Sequence, residues 1–131
     1  MTIFRHTIMP VILATLWISI SEFVRNEYLL KSYWIQHYDG LGIPFPSEPI
    51  NGAMWGIWSL AMAILIYLIS RKFDLLQTTL IVWLAAFVMM WMVIGNLSVL
   101  PYGILPVAIP LSLLEAFLAS WIIRKTSSAK I

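Results

Sequence analysis

The stretch LLQTTLIVWLAAFVMMWMVIGNLSVLPYGILPVAIPLSLLEAFLASWII, residues 75–123, decides the fold because Glu115 is its single formally charged side chain. A helix needs about 20 mostly apolar residues to cross a bilayer. The stretch is long enough for two crossings, and Pro101 ends helix continuity between them. A lone carboxylate near the membrane centre is disfavoured by roughly 2.5–3.5 kcal/mol. Glu115 is therefore expected to be neutralised, paired or turned toward a polar cavity.

The composition of the whole chain indicates a membrane protein. Of its 131 residues, 61% are hydrophobic and 11% are charged, which leaves too few charges to cover the surface of a soluble domain. A net charge of +2 without a broad basic face argues against nucleic-acid binding. The absence of cysteine excludes disulfides, thiolate nucleophiles and cysteine-ligated metals. We expect no cofactor and no metal, since His37 and Asp39 alone are a weak metal signal.

Apolar runs predict four transmembrane helices, at about residues 7–30, 51–70, 75–95 and 102–123, within one domain that comprises residues 1–131. The first run, with Ser19 and Ser21 near its end, also has features of a signal peptide. We interpret it as a retained helix that continues to about Gln36. Short connections favour antiparallel neighbours, so the predicted fold class is an all-α, antiparallel four-helix transmembrane bundle.

Basic residues predict the orientation of this bundle. Those near the amino terminus, in the second connection and in the carboxyl tail are Arg5, Arg71, Lys72, Arg124, Lys125 and Lys130. The loops on the other side contain only Lys31. The positive-inside rule then places both termini in the cytoplasm and the loop 31–50 outside, as a cap. The expected location is the bacterial inner (cytoplasmic) membrane.

Small residues predict where the helices pack. The last span carries them at every fourth position: Ala108, Ser112, Ala116 and Ser120. The second span has Gly52 and Gly56 at the same spacing and, on the neighbouring strip, Ser59 and Ala63. Such stripes let helix backbones approach closely in a membrane, where lipid supplies no hydrophobic drive. We interpret both as contacts within the bundle, with a homo-oligomer interface as the alternative.

Polar side chains from all four spans are expected to line one outward-facing cavity. On a helical wheel Glu22 and Asn26 share a face of the first helix, and Arg25 lies three residues from Glu22, close enough to pair. The predicted ligand-binding residues are Glu22, Arg25, Asn26, Asn51, Asn96 and Glu115. Polar groups also hold membrane helices together, so a purely structural role is the competing interpretation.

Three functions fit these residues. The first is a binder or carrier of a small polar or anionic molecule, with Arg25 as the positive contact and Glu115 as the proton-linked group. The second is an intramembrane enzyme that acts on a lipid-linked substrate, with Glu22 or Glu115 as the acid–base. The third is an accessory subunit of a membrane complex. The expected partners are the lipid bilayer and a small ligand or lipid head group, and apolar inner halves of the spans favour a one-sided pocket.

The chain resembles the small multidrug-resistance transporters in having four short spans and a carboxylate, Glu22, in the first. It departs from that pattern in Arg25 and Asn26, which follow within one turn, and in the second carboxylate, Glu115. The first loop is also long, and the orientation bias argues against an antiparallel dimer. Only the number of spans and one glutamate match, so we do not assign the chain to that family.

Overall fold

The computed structural model describes residues 2–127, which are almost entirely helical and contain no strand. Four helices are long and apolar enough to cross a membrane, and a shorter helix lies between the first two. They are α1 (Phe4–Leu29), α2 (Lys31–Gly40), α3 (Pro49–Ser70), α4 (Leu75–Asn96) and α5 (Tyr102–Thr126). The prediction of an all-α chain with four candidate membrane-spanning helices is confirmed. Lys130, used in the orientation argument, lies outside the described residues.

The break between α1 and α2 corrects the predicted length of the first helix. Leu30 leaves the helical region, with φ −118° and ψ 1°, and is buried. It packs with Leu100 and Ile104, at the α4–α5 connection. The expected continuation of the first helix to about Gln36 is therefore wrong, because the chain turns at Leu30 to bury an apolar side chain.

Local side-chain bonds define where α3 and α4 begin. Asn51 Oδ1 accepts the backbone N–H of Glu48 at 2.9 Å, with Pro49 at the first helical position. At the start of α4, Asp74 Oδ1 accepts the N–H of Gln77 at 2.8 Å, and Gln77 Oε1 accepts the N–H of Asp74 at 3.2 Å. Each of these bonds satisfies a backbone N–H at a helix start that has no partner within the helix. A cap of this kind stabilises a helix by about 1 kcal/mol.

The turn between α4 and α5 anchors the loop 31–50. Ser98 adopts a left-handed conformation, φ 64°, which lets the chain reverse. The His37 side chain of α2 hydrogen-bonds the Ser98 carbonyl through Nε2, at 2.7 Å. The loop is thus an ordered structure, tied to the α4–α5 turn by a bond between distant parts of the chain.

An apolar core lies where the long helices meet. α1 packs against α3 and α5, and α4 packs against α5 and α3. The buried residues of this core are Ala14, Ile18, Met62, Ala63, Ile66, Tyr67, Val82, Phe87, Ala116, Ala119 and Ile123. Small side chains let the backbones approach closely, and dispersion contacts between well-packed atoms then stabilise the helix pairs.

The predicted small residues of the last span all pack inside the bundle, and those of the second span do so in part. The stripe of the last span is buried throughout, from Ala108 to Ser120. Gly52 and Gly56 of α3 are exposed, and a Cβ built at either would meet no atom within 4 Å. Ser59 and Ala63 of the same span are buried, so the predicted contact within the bundle is wrong for the two glycines only. The homo-oligomer interface stays a prediction for them.

Candidate functional site

The guanidinium of Arg25 lies between two carboxylates deep in the bundle. Nη2 donates to Glu22 Oε1, one turn earlier on α1, and Nη1 donates to Glu115 Oε1 on α5 at 3.4 Å. Glu22 and Arg25 are each 5% exposed, and Glu115 is 0% exposed. Arginine keeps its charge when buried, so at least one carboxylate beside it must be ionised. We call these three side chains the ion triad.

The local shape of α1 positions the triad. Residues Val24–Leu29 form a π-helical turn, in which the backbone hydrogen bonds span five residues. Such turns are wider than α-helical ones and occur often at functional sites. Arg25 and Asn26 both lie in this turn, so a helical wheel drawn at one uniform angle misplaces them relative to the rest of α1.

Asn26 connects the triad to α2. Its Nδ2 donates to Glu22 Oε2 at 3.0 Å, and its Oδ1 accepts from Trp34 Nε1 at 3.3 Å. Glu22 is therefore held through both carboxylate oxygens, one by Arg25 and one by Asn26. A displacement of α2 would reach the triad through a single side chain.

Two tryptophans fix α5 around Glu115. Trp17 of α1 donates from Nε1 to the Glu115 carbonyl oxygen at 3.1 Å. Trp83 of α4 donates from Nε1 to Ser112 Oγ at 2.9 Å, one turn before Glu115. A buried indole usually finds a partner for its N–H, and here the partners lie on a neighbouring helix. Both tryptophans therefore join α5 to a neighbouring helix close to Glu115.

Beside the triad is a cavity of about 880 Å³, within the range of small-molecule sites. Its aromatic wall, contributed by α1, α3, α4 and the loop 31–50, consists of Phe23, Trp34, Tyr38, Phe45, Trp55, Trp58, Phe87 and Trp91. Its charged wall residues are Glu22, Arg25, Glu27, Lys31 and Glu48. The cavity thus combines apolar ring surfaces with a few charged groups.

The rings of α3 and α4 form a continuous row. Centroids of Trp55 and Trp58 are 5.6 Å apart, those of Trp58 and Phe87 are 5.5 Å apart, and those of Phe87 and Trp91 are 5.8 Å apart. The Arg25 guanidinium lies 5.2 Å from the Phe87 ring centroid. This is the distance of a cation–π contact, so one ring of the row also stabilises the arginine.

The loop 31–50 supplies a second aromatic group. Tyr38 and Phe45 meet edge to face at 5.2 Å between centroids, and Trp34 lies 6.3 Å from Phe45. All three line the cavity. The segment that the sequence marks as a cap therefore forms part of the cavity wall.

The six predicted site residues divide into three groups. Glu22, Arg25, Asn26 and Asn51 line the cavity. Glu115 does not line the cavity. It is fully buried and pairs with the Arg25 guanidinium.

Asn96 is exposed and is not among the cavity-lining residues. The residues of α4 that line the cavity are Phe87, Met90, Trp91 and Ile94. Asn96 follows Ile94 by two positions, which turns it by roughly 200° around the helix. Its placement in the site is corrected for this reason.

Sequence reasoning missed the cavity-lining face of α3. Gly52, Trp55, Gly56 and Ser59 all line the cavity and recur at helical spacing. The signal was present as one stripe of small and aromatic residues, but its glycines were interpreted as a helix contact. Open space beside a glycine is visible only once the neighbouring helices are placed.

Comparison of the chain with protein-family models, curated proteins and solved structures found no match.

Proposed function

We propose that this chain is a single-domain protein of the bacterial inner membrane, built as an antiparallel bundle with both termini in the cytoplasm. The excess of basic residues at the termini and in the second connection supports this orientation. The residues that meet in the apolar core support an arrangement in which successive long helices run in opposite directions. This core joins Ala14 of the first half of α1 with Ile66 of the last half of α3, Val82 of the first half of α4 and Ile123 at the end of α5.

We propose that the cavity binds a small polar molecule that enters from the outer side of the membrane. The observation that carries this proposal is the buried Glu22–Arg25 pair in the wall of an 880 Å³ space. Taking charges out of water costs several kcal/mol per ion even when they are paired. Adhesion between helices needs far less, since an average polar contact in a membrane is worth about 0.6 kcal/mol.

The contacts of Arg25 favour a polar ligand over an anionic one. Its two terminal nitrogens already face Glu22 and Glu115. An anion placed beside Arg25 would also lie near two carboxylates, so repulsion would offset the attraction. We therefore expect Arg25 to shape the wall rather than to serve as the main contact for an anion.

The triad supplies the proposed proton linkage through Glu115. With both carboxylates ionised its net charge is −1, and with one proton bound it is neutral. Within residues 2–127, Glu115 Oε2 has no hydrogen-bond partner. The side chains beside the Glu115 carboxyl are Arg25, Glu22 and the uncharged Ser21. Trp17 bonds the backbone carbonyl of Glu115 instead. A ligand that changes the electrostatic field at Arg25 would change how firmly the triad holds this proton.

Binding is better supported than transport through the bundle. The apolar core fills the space between the triad and the ends of the helices that we place in the cytoplasm. A carrier would have to open this core at the cost of many apolar contacts. A catalytic role for Glu22 is less well supported, because both of its oxygens are bonded to neighbouring side chains.

A thermal-shift screen with two matched tryptophan variants tests the proposal. The protein in lipid nanodiscs is heated with a panel of neutral, zwitterionic, cationic and anionic small molecules. Trp55→Leu alters the cavity wall, whereas Trp121→Leu alters a tryptophan of equal exposure outside the cavity; the two are 45% and 44% exposed. We expect a compound that stabilises the wild type and Trp121→Leu but not Trp55→Leu. A panel without any stabilising compound, or equal stabilisation of both variants, contradicts the proposal.

A further inference from the structure

A second, apolar space adjoins the cavity along the seam between α1 and α3. This groove has a volume of about 320 Å³ and is lined by Ile12, Thr15, Leu16, Ala53, Gly56, Ile57 and Leu60. Gly56 lines both the groove and the polar cavity. The two spaces are therefore neighbours, with a residue that has no side chain between them.

The α3 surface beside both spaces is open at Gly56, and one turn earlier Gly52 leaves further room on the cavity side. A Cβ at Gly52 or at Gly56 would meet no atom within 4 Å. Glycine costs roughly 0.5–1 kcal/mol relative to alanine inside a helix. Within residues 2–127 neither a turn nor a helix contact requires glycine at these two positions, and the space beside Gly56 is left open on both the groove and the cavity side.

The charges of the cavity wall favour a cationic group. Glu22 is paired with Arg25, and Glu27 with Lys31 at 2.9 Å. The remaining wall carboxylate, Glu48, is exposed and caps the amino end of α3, and among residues 2–127 no lysine or arginine forms a salt bridge with it. The faces of aromatic rings also attract cations. An ammonium group in the cavity would therefore be stabilised by the rings and by the carboxylate of Glu48.

Combining these observations, and building on the ligand-binding function proposed above, we propose that the natural ligand is a single-chain amphiphile with an ammonium head group. The head lies in the cavity between the aromatic rings and Glu48, and the alkyl chain passes over Gly56 into the apolar groove. The seam between α1 and α3 then gives the chain access from the bilayer. A single amphiphile would thus fill both spaces, with its head in the polar cavity and its chain in the apolar groove.

The test uses probes that separate head from chain. Wild-type protein in phosphatidylglycerol nanodiscs, whose lipids carry no ammonium, is titrated with dodecyltrimethylammonium, dodecyl sulfonate and tetramethylammonium. The readout is the saturable change in tryptophan emission, since Trp55, Trp58 and Trp91 line the cavity. After correction for the partitioning of each probe into protein-free nanodiscs, we expect dodecyltrimethylammonium to bind more tightly than the sulfonate, and Glu48→Gln to reduce this preference. Asp39→Asn, which removes a carboxylate outside the cavity lining, should leave it unchanged.

Gly56→Leu tests the path of the chain. Open space around Gly56 lets the variant fold, while its side chain fills the junction. Each buried methylene contributes about fourfold in affinity, so displacing two should weaken the dodecylammonium probe about fifteenfold. Tetramethylammonium should bind both proteins equally. Ala61→Leu, at an exposed position of α3 outside both spaces, is the matched control and should bind like the wild type.

The outcomes separate this inference from the function it rests on. Equal or tighter binding of the sulfonate overturns the ammonium head but leaves a ligand-binding cavity. Unchanged binding of dodecylammonium to Gly56→Leu overturns the path over Gly56 alone. If neither dodecyl probe gives a saturable signal, the amphiphile is refuted, and the separate thermal-shift screen then decides whether the cavity binds any small molecule.

Discussion

Removing the guanidinium of Arg25 should be the most damaging single truncation in the chain. Arg25→Ala would leave Glu22 and Glu115 facing each other without a cation, in an interior where neither exceeds 5% exposure. Losing one partner of a buried ion pair costs about 3–5 kcal/mol. The lost cation–π contact with Phe87 adds roughly 0.5–2 kcal/mol. A total of about 4 kcal/mol or more lowers the ratio of folded to unfolded protein about a thousandfold.

Equilibrium unfolding in mixed micelles of lipid and sodium dodecyl sulfate measures this free energy directly. Lys31→Ala is the control, because it breaks an exposed pair with Glu27 and should cost less than about 1 kcal/mol. Neutralising the whole triad, as Arg25→Met with Glu22→Gln and Glu115→Gln, should restore most of the loss, since no unpaired charge remains. A loss below about 1 kcal/mol for Arg25→Ala, or a triple variant no better than the single one, would refute the reasoning.

Three further predictions concern packing, protonation and orientation. Ala116→Leu should destabilise the bundle by about 1–3 kcal/mol, because Ala116 is fully buried; a wild-type unfolding midpoint would show that this face does not pack. Glu115→Gln should abolish the pH dependence of binding for any ligand found in the thermal-shift screen while keeping the fold, and a retained pH dependence would remove Glu115 from the proton linkage. An impermeant thiol reagent added from outside should label Ser47→Cys and not Phe73→Cys, both at exposed positions; the reverse pattern would invert the proposed orientation.

The helices and part of the triad could be predicted because those features are local. Runs of apolar residues mark the spans whatever their neighbours. The spacing of three residues between Glu22 and Arg25 brings their side chains together within a single helix. The depth of Glu115 indicated that it needed a partner, although only the packed bundle shows that Arg25 is that partner.

What the sequence did not reveal depends on how each helix is rotated about its axis. Position along a span fixes depth, which is why Asn96 was placed at the level of the site although it lies on another face of α4. The π-helical turn at Val24–Leu29 changes the angular phase of α1, and no feature of the sequence marks it. The space beside Gly52 and Gly56 is a property of neighbouring helices, so a glycine that leaves room and one that packs closely look alike in sequence.

Native mass spectrometry of the protein released from its own membranes tests the central claim, that the cavity beside the ion triad holds a ligand. We predict that the wild type and Trp121→Leu carry one small molecule per chain, and that Trp55→Leu carries it in a much smaller fraction. Wild-type protein without a bound molecule, or the same occupancy in Trp55→Leu as in Trp121→Leu, would contradict the account and leave the buried charges with a structural role alone.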